Sequence, residues 1–201
     1  TMQHNKTIQS LNLSNTDLKT SSIIALSIVA THHPTLVILN LARPLLHAGC
    51  DNTVIHLHDM LKQNKFIRDL DLSSHQIRDD GIDLLCKALR YNSSLQTLNL
   101  ACNQITIPGG EHLGNFLKDN KSITDLDLSA NRIDSMGGTV VAINLRSNKT
   151  LKKLDVSSNN MNDATLCEFA KMLIENTTIK KICVLNNKFN QASIAAFAEL
   201  I

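Results

Sequence analysis

One short pattern occurs seven times in this chain and restricts the possible fold more than any other feature. It reads apolar–x–x–apolar–x–apolar–x–x–Asn–x–apolar, and its clearest copy runs from Leu95 to Ile105. The seven copies begin at Ile8, Leu36, Ile67, Leu95, Ile123, Leu151 and Ile179. Successive starts are 28 residues apart, except for 31 residues between the second and third copies. A fixed period of this length predicts a solenoid of stacked repeats.

Each copy combines a strand period with a helix period. Residues 97–101 alternate between apolar and polar side chains, which is typical of a β-strand. Ile82, Leu85, Cys86 and Leu89 then follow at helical spacing. Later helices are predicted to begin at Pro108, near Ser135 and near Asn162 or Asp163. Stacking predicts an α/β horseshoe segment of about seven repeats, with a parallel sheet on its concave side and α-helices on its convex side.

Composition limits the classes of partner. The net charge of +2 argues against a nucleic-acid partner, because proteins that bind nucleic acid carry a dense basic surface. Five cysteines without a C-x-x-C pair indicate neither a complete disulfide framework nor a zinc site, and they favour a reducing compartment. No apolar run reaches membrane-spanning length, and no signal-like segment opens the chain. We therefore expect a cytoplasmic chain with no nucleic-acid or membrane partner.

The asparagine of the pattern is expected to be structural. Its side-chain amide can bond backbone groups of adjacent turns where the chain leaves each strand. This predicted ladder consists of Asn103, Asn131, Asn159 and Asn187. His75 and Pro44 occupy the same position in earlier copies. We expect His75 to take over the hydrogen bonds, whereas Pro44 should interrupt the ladder.

A second asparagine series matches the N-glycosylation acceptor. Its members are Asn5, Asn12, Asn92, Asn120, Asn148 and Asn176. All except Asn12 lie three residues before the first apolar residue of a repeat, where a helix must end. Asparagine tolerates the left-handed conformation that often ends helices, so we expect a structural turn there. Glycosylation is the alternative.

No pattern in the chain indicates catalysis. His56 and His58 are two residues apart, which places them on different faces of a helix. The glycine pairs at 109–110 and 137–138 belong to the repeat and form no phosphate loop. No serine or cysteine lies in a nucleophile motif. We predict no catalytic residue, metal, cofactor or small-molecule substrate.

The strand residues that flank the inward leucines are expected to form a concave binding face. The predicted partner-binding residues are Asp69, Asp71, Asn99, Asp125, Asp127, Lys153 and Asp155. Five are aspartates, and like charges on neighbouring strands disfavour one another. Their recurrence is explained either by repeat consensus, since Leu-Asp-Leu-Ser fills both 70–73 and 126–129, or by a protein partner with a basic surface.

The second copy is irregular. The longer distance to the third copy predicts an insertion at 42–51, as a protruding loop with apolar character. A weaker second binding site is predicted there, at Arg43, Pro44, Leu45 and Leu46. An insertion without a binding role is the alternative.

The whole chain, residues 1–201, is interpreted as a single repeat array. Residues 191–201 form an apolar helical pattern that ends at Ile201, although arrays normally end in a polar cap. We therefore expect the chain to be a fragment of a longer protein.

The repeated pattern resembles the leucine-rich repeat, and its helical 28-residue form is similar to the ribonuclease-inhibitor-like group. That group includes the tropomodulins and the GTPase-activating proteins of Ran. The segments 39–46 and 84–95, with the histidine-rich helix between them, carry the most specific part of the resemblance. It implies a non-enzymatic protein-interaction scaffold, cytoplasmic or in the ciliary axoneme. A regulator of a small GTPase and a glycosylated extracellular receptor fragment are the alternatives.

Overall fold

Seven parallel strands form one sheet in chain order, with a helix after each strand. The computed structural model describes residues 4–46 and 52–200. The strands are β1 Ser10–Asn12, β2 Ile38–Asn40, β3 Asp69–Asp71, β4 Thr97–Asn99, β5 Asp125–Asp127, β6 Lys153–Asp155 and β7 Lys181–Cys183. The helices are α1 Thr20–Thr31, α2 Asn52–Gln63, α3 Asp79–Leu89, α4 Ile107–Asp119, α5 Asp134–Leu145, α6 Asp163–Glu175 and α7 Gln191–Ala198. The predicted array of strand–helix repeats with one parallel sheet is confirmed.

The register of the sheet follows from the repeat. Each strand pairs position for position with the next, so that Leu70, Leu98 and Leu126 lie side by side. These central side chains are buried and join apolar residues of the helices in one continuous core. Each repeat therefore buries its apolar face against its neighbours.

The helices begin close to the predicted residues. Pro108 lies in the first turn of α4, where its missing N–H removes no helical bond. In α3, the four residues at helical spacing, Ile82, Leu85, Cys86 and Leu89, are all buried. In the described residues no helix is long and apolar enough to span a membrane.

Glycines bring α4 and α5 unusually close together. A Cβ added to Gly114 would lie 3.0 Å from the carbonyl carbon and oxygen of Val140, and one added to Gly110 would lie 3.0 Å from the Cα of Gly137. Backbone cannot move aside as the end of a side chain can. These positions therefore require a residue without a Cβ.

The irregular second copy follows the repeat further than predicted. Arg43 has a φ of 55°, and the equivalent residues Ser74, Cys102 and Ala130 have φ between 53° and 60°. Leu46 is 9% exposed and belongs to the core. The predicted protruding loop is therefore wrong for residues 42–46, since they hold their place in the stack. Residues 47–51, the remainder of the predicted insertion, lie outside the described residues.

Candidate functional site: the outer face of the sheet

The strand residues on either side of each central leucine form a partly exposed face, which we call the sheet face. Strand pairing sets Asp71, Asn99, Asp127 and Asp155 side by side in one row. A second row contains Asp69, Thr97, Asp125 and Lys153. The structure therefore brings together all seven residues predicted for this face. Thr97, Lys181 and Cys183 lie in the same two rows, as the 28-residue period predicts.

Residues of the first row cap the ends of their strands, which explains why Asp and Asn recur there. One carboxylate oxygen, Oδ1, of Asp71, Asp127 and Asp155 accepts a hydrogen bond from the backbone N–H two residues later, at 2.8–2.9 Å. Asn12, Asn40 and Asn99 accept the same bond with their amide Oδ1 at 2.9 Å. Such local bonds are typical of Asp and Asn at turns. Either residue caps the strand end, so the cap does not require a negative charge.

The second row is not uniformly acidic. Nζ of Lys153 lies 2.6 Å from Oδ1 of Asp125, and Lys181 is the next residue in the row. Partial burial acts to raise the pKa of Asp125, but hydrogen bonds from Lys153 and Thr124 outweigh it and hold the pKa below its usual value. Of the five predicted carboxylates, Asp125 is therefore paired with a lysine of its own row.

Two of the other carboxylates, Asp69 and Asp71, lie on the same strand, β3. Burial, followed by the charges of Asp71 and Asp125, raises the pKa of Asp69 above its ordinary value. A cation placed beside Asp69 and Asp71 would relieve this repulsion. The sheet face therefore carries two carboxylates each on β3 and β5, one lysine and one carboxylate on β6, and one lysine on β7.

A shallow depression of about 250 Å³ lies across β4 to β7. Its lining includes Asp127 and Asp155 from the first row, with Asp125 and Lys153 from the second. Among the described residues no group of three His, Cys, Asp or Glu side chains is placed to hold a metal ion. The depression is open to solvent and carries both carboxylates and lysines.

The predicted asparagines form a ladder behind the sheet face. The side-chain nitrogen Nδ2 of Asn131 donates to the carbonyl of Leu100, 31 residues earlier, at 3.0 Å. Its Oδ1 accepts from the backbone N–H groups of Asn103 and Ile105. Asn103, Asn159 and Asn187 make equivalent bonds. These asparagines therefore join successive repeats.

His75 stands in the ladder without fully replacing asparagine. Its Nε2 lies 2.8 Å from the carbonyl of Leu41, which is the place that an asparagine amide fills elsewhere. Its Nδ1 is buried and has no partner in the described part of the chain. Burial lowers the pKa of His75 to about 4, against a weaker opposing effect of the Leu41 carbonyl and of Asp71. The ring is therefore neutral at pH 7.

The turn asparagines were predicted in the wrong conformation. Asn120 and Asn176 have φ of −60° and −93°, in extended backbone, and none of the series has a positive φ. Their side chains provide the turn instead, because Oδ1 of Asn176 accepts from the N–H groups of Thr178 and Ile179. Asn92, Asn120 and Asn148 do the same.

Most of these asparagines are buried, and their Nδ2 atoms already donate hydrogen bonds to backbone carbonyls. Asn92, Asn148 and Asn176 are at most 5% exposed, and each donates from Nδ2 to the carbonyl of a residue 31 positions earlier. A glycan attached to Nδ2 would break that bond. Asn64 belongs to the same series but lacks the acceptor sequence, so sequence reasoning missed it; its spacing of 28 from Asn92 was the available signal.

The weaker predicted site at residues 43–46 is divided by burial. Arg43 and Leu45 are exposed and Pro44 is partly exposed, whereas Leu46 is in the core. The N–H of Leu45 donates to the carbonyl of Leu18, which attaches the segment to the first repeat. Leu46 is therefore removed from the predicted contact residues.

Comparison with known proteins gives a consistent family. A family model described as Leucine Rich repeat matches residues 4–27, 63–86, 91–114, 119–142 and 147–164, which together make up more than half of the chain. The chain is 34% identical over 77 residues to leucine-rich repeat-containing protein 34 of Mus musculus. It is 37% identical over 51 residues to the protein of that name in Homo sapiens. The likeness indicated by segments 39–46 and 84–95 is to this protein, and it is confirmed.

The matched regions are partial. The mouse match covers 38% of this chain and 19% of the relative, and the human match covers 25% and 11%. The matches therefore span at most about a fifth of the length of these curated relatives.

Solved structures share the fold over most of the chain. The leiomodin-1 actin-binding site 2 superposes with a TM-score of 0.63 at 24% identity, covering 71% of this chain and 84% of that one. The tropomodulin C-terminal domain of Caenorhabditis elegans has a TM-score of 0.61 at 12% identity, covering 73% and 89%. At these identities the likeness is one of fold.

Proposed function

Because this chain belongs to the leucine-rich repeat family, we propose that it is a non-catalytic interaction module that binds a partner protein through its sheet face, as the concave side of the array. On the sheet face the repeat displays equivalent residues in continuous rows. Binding requires little further ordering of the backbone, since inter-repeat hydrogen bonds already hold it in place.

The observation that supports this function is the interchange of Asp and Asn in the first row. Asn12, Asn40 and Asn99 cap their strands as well as Asp71, Asp127 and Asp155 do. The fold therefore accounts for the shared Oδ1 but not for the charge. A partner with a basic surface accounts for the charge, through attraction to the three carboxylates.

The test removes these charges and keeps the caps. The variant Asp71→Asn, Asp127→Asn, Asp155→Asn is used as immobilised bait in a lysate of the native cell type, and captured proteins are identified by mass spectrometry. The control Asp17→Asn, Asp80→Asn, Glu111→Gln makes the same charge change at exposed positions away from the sheet face. Purified actin is also tested for capture by the immobilised chain, since the leiomodin-1 segment that shares the fold is an actin-binding site.

We expect the sheet-face variant to lose about tenfold in recovery of the main partner, while the control retains it. Thermal unfolding of both variants should stay close to that of the wild type. Equal recovery by the two variants would contradict binding at the sheet face.

We place this module in the cytoplasm or the ciliary axoneme. Cys86, Cys102, Cys167 and Cys183, the described cysteines, are free thiols, which suits a reducing compartment. Immunofluorescence of the endogenous protein against axonemal tubulin tests the location. Secreted material that loses mass on glycosidase treatment would contradict it.

A further inference from the structure

The turns between helix and strand carry a second asparagine ladder, and among the described asparagines that follow α2 to α6 one rung is missing. Nδ2 of Asn64, Asn92, Asn148 and Asn176 donates to a carbonyl near the end of the helix in the preceding repeat, at 2.5–2.7 Å. The exception is Asn120, whose Nδ2 donates within its own turn to the carbonyl of Ile123 at 2.8 Å. In the described part of the chain, the carbonyl of Leu89, which the repeat would offer to Asn120, accepts only the backbone bond from Asn92.

A cavity of about 430 Å³ lies where this rung is missing, between the turns that follow α3 and α4. Leu89 and Phe116, both 3% exposed, provide its apolar part. The helix α3 ends at Leu89, so Arg90 and Tyr91 continue as a turn at the cavity rim, and Tyr91 is 68% exposed. We call this cavity the turn cleft. Its volume lies within the range of sites that hold small ligands or side chains.

The rim of the turn cleft is basic. Arg90 and Lys121 line it directly. Two lysines of the preceding repeat are held at Tyr91: Nζ of Lys62 lies 5.5 Å from the ring centroid, and Nζ of Lys65 donates to the Tyr91 carbonyl at 3.5 Å. A cation over an aromatic ring is attracted to it. These contacts concentrate positive charge beside the opening.

One carboxylate lies among the lining residues, and it balances this charge weakly. Oδ2 of Asp119 lies 3.7 Å from Nη1 of Arg90, and both side chains are about half exposed or more. Exposed pairs at such a distance contribute little and are screened by salt. An incoming carboxylate can therefore displace Asp119 from Arg90 at small cost.

We propose that the turn cleft binds an acidic peptide segment of a partner protein. An aliphatic side chain of the segment packs on Leu89 and Phe116, and its carboxylates pair with Arg90 and Lys121. A backbone N–H of the segment donates to the Leu89 carbonyl and supplies the missing rung. This site is separate from the sheet face and selects the opposite charge.

The probes are three fluorescein-labelled nine-residue peptides measured by fluorescence anisotropy with the whole chain. The first has a central leucine flanked by glutamates, the second replaces that leucine with alanine, and the third replaces the glutamates with lysine. We expect the first to bind best, with the second weaker by about fivefold. Binding of the lysine peptide as tightly as the first, or no binding of the first at millimolar protein, would overturn the proposal.

Charge reversal locates the site. Arg90→Glu with Lys121→Glu should weaken binding of the first peptide by at least about tenfold. The control Lys149→Glu with Lys152→Glu makes the same charge change at exposed lysines outside the cleft, and should change binding by less than about twofold. Equal effects of the two double variants would show attraction to net charge alone and refute the cleft.

An NMR measurement separates the cleft from the sheet face. In the ¹⁵N-labelled wild type, the first peptide should shift the amide signals of Asn92, Ser93 and Ser122, which line the cleft. The sheet-face variant Asp71→Asn, Asp127→Asn, Asp155→Asn should bind this peptide as the wild type does. Shifts confined to the sheet-face amides would contradict the assignment.

Discussion

The carboxylate of Asp79, in the first turn of α3, accepts a 3.0 Å hydrogen bond from the backbone N–H of Gly109, thirty residues later in the first turn of α4. It also accepts from the N–H and the hydroxyl of Thr106, the residue before α4, whose own side chain makes no capping bond. Asp163 repeats the arrangement by accepting from the backbone of Asn190 and Ser193 at the start of α7. One repeat thus caps the helix of the next.

Asp79→Ala should lower the free energy of unfolding by about 1–2 kcal/mol, because the first N–H groups of α4 lose their acceptor. Asp80→Ala is the control, since Asp80 is exposed in the same first turn and its loss affects the α3 dipole similarly. Urea denaturation followed by circular dichroism measures both. Equal destabilisation by the two substitutions would assign the effect to α3 instead of to the inter-repeat cap.

The loss of one ladder asparagine should be more costly. Asn131→Ala removes bonds to Leu100, Asn103 and Ile105 and leaves buried backbone groups unpaired. We expect a loss of about 3 kcal/mol in the free energy of unfolding. The exposed Asn115→Ala should change it by less than about 0.5 kcal/mol. A small loss at Asn131 would mean that water replaces the ladder bonds.

The close contact of α4 and α5 gives a glycine prediction. Gly114→Ala should destabilise the chain by about 1–3 kcal/mol, although alanine favours a helix, because the added methyl meets the Val140 backbone at 3.0 Å. Gly138→Ala is the matched helix position, where the methyl meets mainly the end of the Met161 side chain. In thermal unfolding, the midpoint temperature of Gly114→Ala should be well below that of Gly138→Ala. The reverse order would refute the backbone contact.

His75 should make stability dependent on pH between about 6.5 and 4. Its pKa is lowered from 6.5 to about 4 in the folded chain, so in this window the unfolded state binds a proton that the folded state does not. Stability is therefore present above pH 6.5 and is lost as the pH falls. The contribution should decrease by about 2 kcal/mol between pH 7 and pH 5.

The variant His75→Asn isolates this effect, because asparagine occupies the ladder position without titrating. Urea unfolding at pH 7 and pH 5 should show a smaller loss for the variant than for the wild type. The folded-state pKa values of Asp125, Asp134 and Asp163 are lowered below 3.8, so their contributions are lost at more acidic pH. Parallel slopes for the two proteins would contradict a neutral buried His75.

The repeat made much of this structure predictable. Local periodicity gave the strands, their register and the helix starts, because residues 28 apart must occupy equivalent places in a stack. The same rule places Lys153 beside Asp125, so their ion pair follows from the sequence once the register is known. The positions of the sheet face were predictable for this reason.

Other features depend on choices that periodicity does not determine. The turn asparagines could stabilise a turn by backbone conformation or by side-chain bonding, and residue type alone does not distinguish these. Asn120 donates from Nδ2 to the carbonyl of Ile123 in its own turn and lacks the inter-repeat bond of Asn92 and Asn148, a difference that residue type does not determine. The capping of α4 by Asp79 pairs an acid with a backbone group, which leaves no signal in the residue type at Gly109.

The equivalence of aspartate and asparagine at the strand ends has an evolutionary consequence. Codons for these two residues differ at a single base, so a lineage can add or remove a charge on the sheet face by one mutation while the scaffold stays intact. Partner preference can therefore diverge in small steps among descendants of one array, without passing through unstable intermediates.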